Sequence, residues 1–170
     1  RKLKEAEILD YETVLGRYRR DADQRYYKGV EYANVLEMLV RRRVAEVFAT
    51  AAAPADQLYV NVQTLSGAPA NTAVQYALLA PGETILAMAL HVGGHLSHGS
   101  KVAWSGKTYE VVNYSVDPHS ELLDYDALRA QALDVRPKLI IGGYTSYPWA
   151  PDWQKLRAIA DEVGAYLLAD

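Results

Sequence analysis

Cysteine is absent from the 170 residues. That absence excludes disulfide scaffolds, thiolate zinc sites and cysteine nucleophiles, and it fits a reducing compartment. No apolar run approaches the length of a membrane span. A basic excess is missing too: the formal net charge is -3, which gives no electrostatic footing for nucleic acid or an anionic membrane surface. The local run Arg41-Arg42-Arg43 falls inside an amphipathic stretch and reads as a solvated helix face.

What remains is the balance of a globular chain. Half the residues are hydrophobic and 23% are charged, and the length is enough to bury a core. The first residue is Arg1 and the closing segment Ala165–Asp170 reads as a buried strand, so a piece of a longer protein is expected. Residues 1–30 are charged and Tyr-rich, with weak periodicity, and read as an N-terminal arm. Residues 31–170 read as part of one larger domain.

Apolar residues at helical spacing predict a helix from Glu31 to about Thr50. Leu58–Val62 reads as a strand, followed by a helix opened by Ser66–Asn71 and running to about Leu79. Thr84–Met88 is a further strand. A strand pair is predicted at Val102–Trp104 and Tyr109–Tyr114, then a helix over Tyr125–Leu133 and a strand over Lys138–Gly142. Asp152 is placed to cap a helix over Trp153–Val163, and Gly164 to end it. Strands alternating with helices predict an α/β fold with a mostly parallel sheet covered on both faces.

Four constellations have the residues for chemistry. Ser66-Gly67-Ala68-Pro69-Ala70-Asn71 is a small-residue turn at a helix start, where free N–H groups and the helix dipole attract a phosphate. Proline suits that first turn, since its missing N–H has no partner there anyway. Taken alone the turn reads more readily as a plain cap than as a phosphate site. His91, His95 and His98 share a Gly-rich loop. No nearby carboxylate or cysteine completes a metal set, but the glycines would let a histidine come close to a flat ligand. Gly142–Pro148 puts hydroxyls at the carboxyl end of a strand, where ligands of parallel sheets gather. Asp170 ends an apolar strand, and a carboxylate there calls for a positive partner. A protonated pyridine nitrogen is one such partner.

In order along the chain, these elements resemble the large domain of serine hydroxymethyltransferase. The stretches that carry the resemblance are Arg25–Tyr32, Asn61–Gln63 leading into Ser66-Gly67 and Ala70-Asn71, Ala77–Leu86, Gly93–Ser100, Ile140–Tyr147 and Ile159–Leu167 ending at Asp170. The resemblance implies an aspartate-aminotransferase-like (fold type I) domain in a cytoplasmic homodimer or tetramer. It implies pyridoxal 5'-phosphate as cofactor and transfer of a one-carbon unit between serine and tetrahydrofolate, leaving glycine. By the same resemblance Ser66, Gly67 and Ala68 form the phosphate turn, Asn71 lies near the ring and His95 stacks on it. Thr145 stands where the family has a serine that contacts the cofactor, and Asp170 pairs with the pyridine nitrogen. Leu90, Gly94 and Leu96 fall where folate binds, and Tyr26 and Tyr27 match a pair that reaches into the neighbouring subunit's site. His95 and Tyr27 are the catalytic candidates.

Two departures stand out. The family's phosphate turn has a second serine where this chain has Ala68. Its catalytic glutamate lies in a Tyr-Ala-Glu-Gly-Tyr-Pro-Gly-Lys run, and here the chain reads Tyr18–Gln24 with Asp21 and Asp23 but no glutamate. The family's cofactor-binding lysine falls beyond Asp170, so the 170 residues alone are expected to be inactive. Two alternatives stay open: a folate-independent aldolase on β-hydroxy or α-methyl amino acids, and a non-catalytic homologue.

Overall fold

The computed structural model describes residues 27–170, so residues 1–26 of the predicted arm, including Tyr26 and the Tyr18–Gln24 segment, lie outside the described residues. The chain divides into two compact units, Arg1–Thr64 and Leu65–Asp170.

In the first unit, helix α1 spans Glu31–Phe48 and a single 3-10 turn spans Ala55–Gln57. Asn34 and Ala45 are its buried positions. Arg42 pairs with Glu46 one turn along at 3.0 Å, both largely exposed, as expected of a solvated face. Leu58–Val62 is not a strand. Its side chains do alternate, with Tyr59 and Asn61 exposed and Leu58, Val60 and Val62 half-buried. Alternation needs a neighbouring strand to become a ladder, and none of the described strands pairs with it. The chain turns instead at Asn61, whose side-chain oxygen accepts from the Gln63 N–H at 2.9 Å.

The second unit is an open, wholly parallel sheet. In chain order it contains α2 (Gly67–Leu78), β1 (Thr84–Met88), α3 (Trp104–Thr108), β2 (Glu110–Tyr114), α4 (Tyr125–Val135), β3 (Leu139–Gly142), α5 (Trp153–Val163) and β4 (Tyr166–Ala169). The strands lie in the order β2-β1-β3-β4, with Leu86 level with Val112 and Ile140, and Ile140 level with Leu167. Central strands of such a sheet are covered on both faces, which explains the continuous apolar runs of β1 and β3. Ile85, Leu86, Ala87, Leu139, Ile140 and Ile141 are all fully buried.

Alternate residues of those strands feed two cores. Leu86, Met88 and Ile140 meet Leu128 and Ala132 of α4 and Leu156, Ile159 and Ala160 of α5. Ile85, Ala87, Leu139 and Ile141 face the other way, onto Leu79 and Tyr109. Both helices of the first core are capped as their sequences dictate. Asp124 and Asp152 each accept two backbone N–H groups of the following turn. Gly164 ends α5 in the left-handed region at φ 71°.

One further expectation needs correction. Val102–Trp104 is not a strand; the chain turns there and enters the short helix α3. The Ala103 N–H bonds back to the Ser100 carbonyl at 2.8 Å, and Trp104 packs edge-on against Tyr109. That local closure outweighs the β preference of so short a run. The closing segment is a strand, as expected: β4 pairs with β3 in register, with Leu167 and Leu168 half-buried and Tyr166 48% exposed within these 170 residues.

Candidate functional site

The chain leaves β1 toward β2 and returns to β3 on the other side of β1. The loops after β1 and β3 therefore diverge at the carboxyl ends of the strands, the crevice where open α/β sheets bind ligands. Three segments converge there: Ala89–Ser100 after β1, Gly143–Tyr147 after β3, and Asp170 after β4. The Thr145 N–H donates to the Gly93 carbonyl at 2.8 Å, tying the first two together.

Glycines make the approach possible. A Cβ on Gly94 would lie 2.2 Å from the Met88 carbonyl oxygen. One on Gly143, which sits at φ 107°, would lie 2.1 Å from the Asp170 carbonyl oxygen. The backbone of Asp170 is thus seated against Gly143, and its N–H donates to Gly142 at 2.9 Å.

The Asp170 side chain is held as firmly. Its Oδ2 accepts from the Asn71 Nδ2 amide at 3.0 Å and from His98 Nε2 at 2.6 Å. Burial alone would raise the Asp170 pKa, but the hydrogen bonds from His98 and Asn71 outweigh it and leave the carboxyl below its ordinary range. His98 is 2% exposed. Burial lowers its pKa, and the favourable contact with Asp170 only partly offsets that. The ring is therefore neutral at neutral pH, and since a carboxylate only accepts, its proton is on Nε2. The opposite nitrogen, Nδ1, is buried and has no hydrogen-bond partner among the described residues.

A second chain of bonds runs through Ser97. Its hydroxyl accepts from Asn71 Nδ2 at 2.9 Å and lies 2.8 Å from His95 Nδ1, which also accepts the Ser97 backbone N–H at 3.1 Å. His95 Nδ1 is thereby an acceptor, and the neutral ring carries its proton on Nε2, away from Ser97. Gln75 donates to the Ser97 carbonyl at 2.8 Å, so α2 is pinned to the histidine loop at two points.

Of the residues singled out from sequence, Asn71, His95 and Asp170 come together in one network. Ser66, Gly67 and Ala68 form the exposed start of α2. The first helical bond there is Ala70 N–H to the Ser66 carbonyl, so the Gly67 and Ala68 N–H groups have no acceptor within the helix. No side chain caps that end. Leu90 and Leu96 are about half exposed on turns either side of Gly94. Thr145 is exposed, engaged through its backbone. Tyr27 is 75% exposed and belongs to the first unit. Sequence reasoning missed Ser97, Gln75 and a role for His98. The available signal was an unpaired acid at a strand end together with a histidine no metal set could use. Among the described residues no group of three His, Cys, Asp or Glu is placed to hold a metal ion, and no helix is long and apolar enough to cross a membrane.

An open parallel sheet with a carboxylate and a histidine gathered at its carboxyl edge, the edge where such sheets bind ligands, defines an α/β domain. The family model described as serine hydroxymethyltransferase matches residues 19–170. Serine hydroxymethyltransferase of Aggregatibacter actinomycetemcomitans is 52% identical over 147 residues, which cover 86% of this chain and 33% of that protein. Those of Legionella pneumophila strain Corby and Limosilactobacillus fermentum are 51% and 48% identical over the same share of this chain. The chain belongs to the serine hydroxymethyltransferase family. It spans about a third of the length of the curated relatives it matches.

Proposed function

We propose that this chain is the cofactor-binding part of a pyridoxal-phosphate enzyme that interconverts serine and glycine, passing the one-carbon unit to tetrahydrofolate. The observation that carries the reading is Asp170: an ionised carboxylate at a strand end, with Oδ2 saturated and no hydrogen bond to Oδ1 among the described residues.

The residues present fit the cofactor. The uncapped start of α2 offers the Gly67 and Ala68 N–H groups and the positive end of the helix dipole to a phosphate, with the Ser66 hydroxyl beside them. Oδ1 of Asp170 suits the N–H of a pyridinium ring. His95, half-buried with its ring fixed through Nδ1, offers a flat face for stacking, and Thr145 lies on the loop joined to Gly93. Bound there, pyridoxal phosphate supplies an electron sink for the substrate α-carbon.

The chain's own residues then have distinct tasks. Asp170 keeps the proton on the ring nitrogen, where it makes the ring a better acceptor. Asn71 and His98 keep Asp170 ionised and aimed. Leu90, Gly94 and Leu96 offer an apolar edge, with bare backbone between, for the flat pterin of the folate. Tyr26 and Tyr27 act across a homodimer or tetramer of a cytoplasmic enzyme. Ala68 removes a hydroxyl donor from the phosphate turn, which costs about 1 kcal/mol of cofactor binding.

Turnover by the full-length protein tests this. Serine should be converted to glycine at a rate that depends on tetrahydrofolate. Cleavage of β-hydroxy amino acids that ignores folate would point to an aldolase instead. Cofactor uptake with no turnover of either kind would point to a non-catalytic homologue, with the altered Tyr18–Gln24 segment as its cause.

A further inference from the structure

The loop after β3 has two tyrosines, Tyr144 and Tyr147, on either side of the exposed pair Thr145-Ser146. Both rings pack against the first core and meet edge-on at 5.1 Å. The loop is thus anchored on the helix side of the sheet while the two residues between the anchors stay exposed. Each anchoring hydroxyl is engaged. That of Tyr144 lies 3.4 Å from the Tyr114 hydroxyl, which donates to the Ile141 carbonyl at 2.7 Å. Burial raises both pKa values, that of Tyr144 to about 12, so both groups stay protonated. The Tyr147 hydroxyl accepts from the backbone N–H of Leu123 at 3.1 Å, and Leu123 is buried. A buried N–H needs its acceptor, so that bond fixes where the ring ends.

The backbone of Tyr147 meets the loop after β1. Gly93 sits at φ 124°, and a Cβ there would lie 2.7 Å from the Tyr147 backbone nitrogen and 2.8 Å from its Cβ. The Gly93 carbonyl accepts from the Thr145 N–H at 2.8 Å and from the Ser146 N–H at 3.3 Å. Behind it, the Gly94 N–H donates to the Ala89 carbonyl at 3.1 Å, and a Cβ on Gly94 would strike the Met88 carbonyl. The two glycines are therefore closed in between their own strand and Tyr147, without room for a methyl group on either.

We propose that Tyr147 is a positioning residue for the Gly93-Gly94 backbone, the bare stretch between Leu90 and Leu96. Its hydroxyl pins the ring to Leu123, the ring places the loop, and the loop sets Gly93. Asp170 and His95 take their side-chain bonds from Asn71, His98 and Ser97, outside this path. Loosening Tyr147 should therefore disturb the edge offered to the pterin and spare the cofactor.

This inference rests on the folate reading given above, and the test separates the two. The full-length enzyme is assayed as wild type, Tyr147→Phe and Tyr147→Leu. Phenylalanine keeps the ring and strands only the Leu123 N–H; leucine removes the ring as well. Tyr147→Phe should raise the KM for tetrahydrofolate roughly fivefold, with kcat, the KM for serine and pyridoxal-phosphate affinity within about twofold of wild type. Tyr147→Leu should raise it further. A Phe variant with the wild-type KM for tetrahydrofolate would make Tyr147 a packing residue and overturn the proposal. So would equal losses in folate, serine and cofactor binding, which would report a general loosening. A second measurement needs no variant to fold. In the wild-type holoenzyme the Thr145 amide should exchange slowly with solvent although its side chain is exposed, and more slowly still once tetrahydrofolate is added. An unprotected Thr145 amide, or one that tetrahydrofolate leaves unchanged, would overturn the proposal. A wild type whose turnover of serine ignores tetrahydrofolate would overturn the functional reading, and this inference with it.

Discussion

Asp170 remains charged at the end of an apolar strand because two donors reach one of its oxygens, and one of them is a buried neutral histidine. Both groups of the pair are shifted downward from their ordinary values. His98 lies below its ordinary value of 6.5 when folded, so on acidification the unfolded chain takes up a proton that the folded chain refuses. Stability should therefore fall from about pH 6.5 downward, through the folded value of His98. Asp170 lies below its ordinary 3.8; its contribution is present above that pH and is lost as the pH falls through its folded value. Denaturant unfolding of the full-length protein across this range should show the earlier decline flattened in His98→Gln. An identical slope in the variant would exclude His98 as its source. From sequence alone Asp170 was legible as an acid in need of a partner, but the partner was not, since His98 lies 72 residues away and only the sheet order brings them together.

At the level of elements, what was legible followed the density of local signals. α5 carries a cap, an apolar stripe and a glycine stop within one stretch, and the structure has it at Trp153–Val163 as expected. β1 and β3 were legible as continuous apolar runs because both of their faces are covered. Leu58–Val62 and Val102–Trp104 have β-like composition too. The lack of a pairing strand decides against the first, and a local chain closure against the second. The cap of α5 gives a direct check. Asp152→Ala strands the Gln154 and Lys155 N–H groups and should lower stability by about 1 kcal/mol in denaturant unfolding. No change would mean that water replaces the cap at no cost.

At the scale of the molecule, the fold of the second unit brings three groups from distant sequence to one edge: the Asn71 turn of α2, the histidine loop after β1 and the acid after β4. Membership of the serine hydroxymethyltransferase family agrees with that geometry. Ala68 is the departure that lies within it. Ala68→Ser should restore a hydroxyl to the phosphate turn and tighten pyridoxal-phosphate binding by roughly fivefold in a titration of the full-length protein. An unchanged affinity would mean that the backbone N–H groups alone hold the phosphate. The central claim is that Asp170 receives the pyridine nitrogen, and one titration tests it most directly. Pyridoxal phosphate is added to the full-length wild type and to Asp170→Asn, and binding is followed by the visible absorption of the cofactor. The wild type should saturate at one cofactor per chain, with the variant binding at least roughly tenfold more weakly. No uptake by the wild type, or equal affinity in the two proteins, would contradict it.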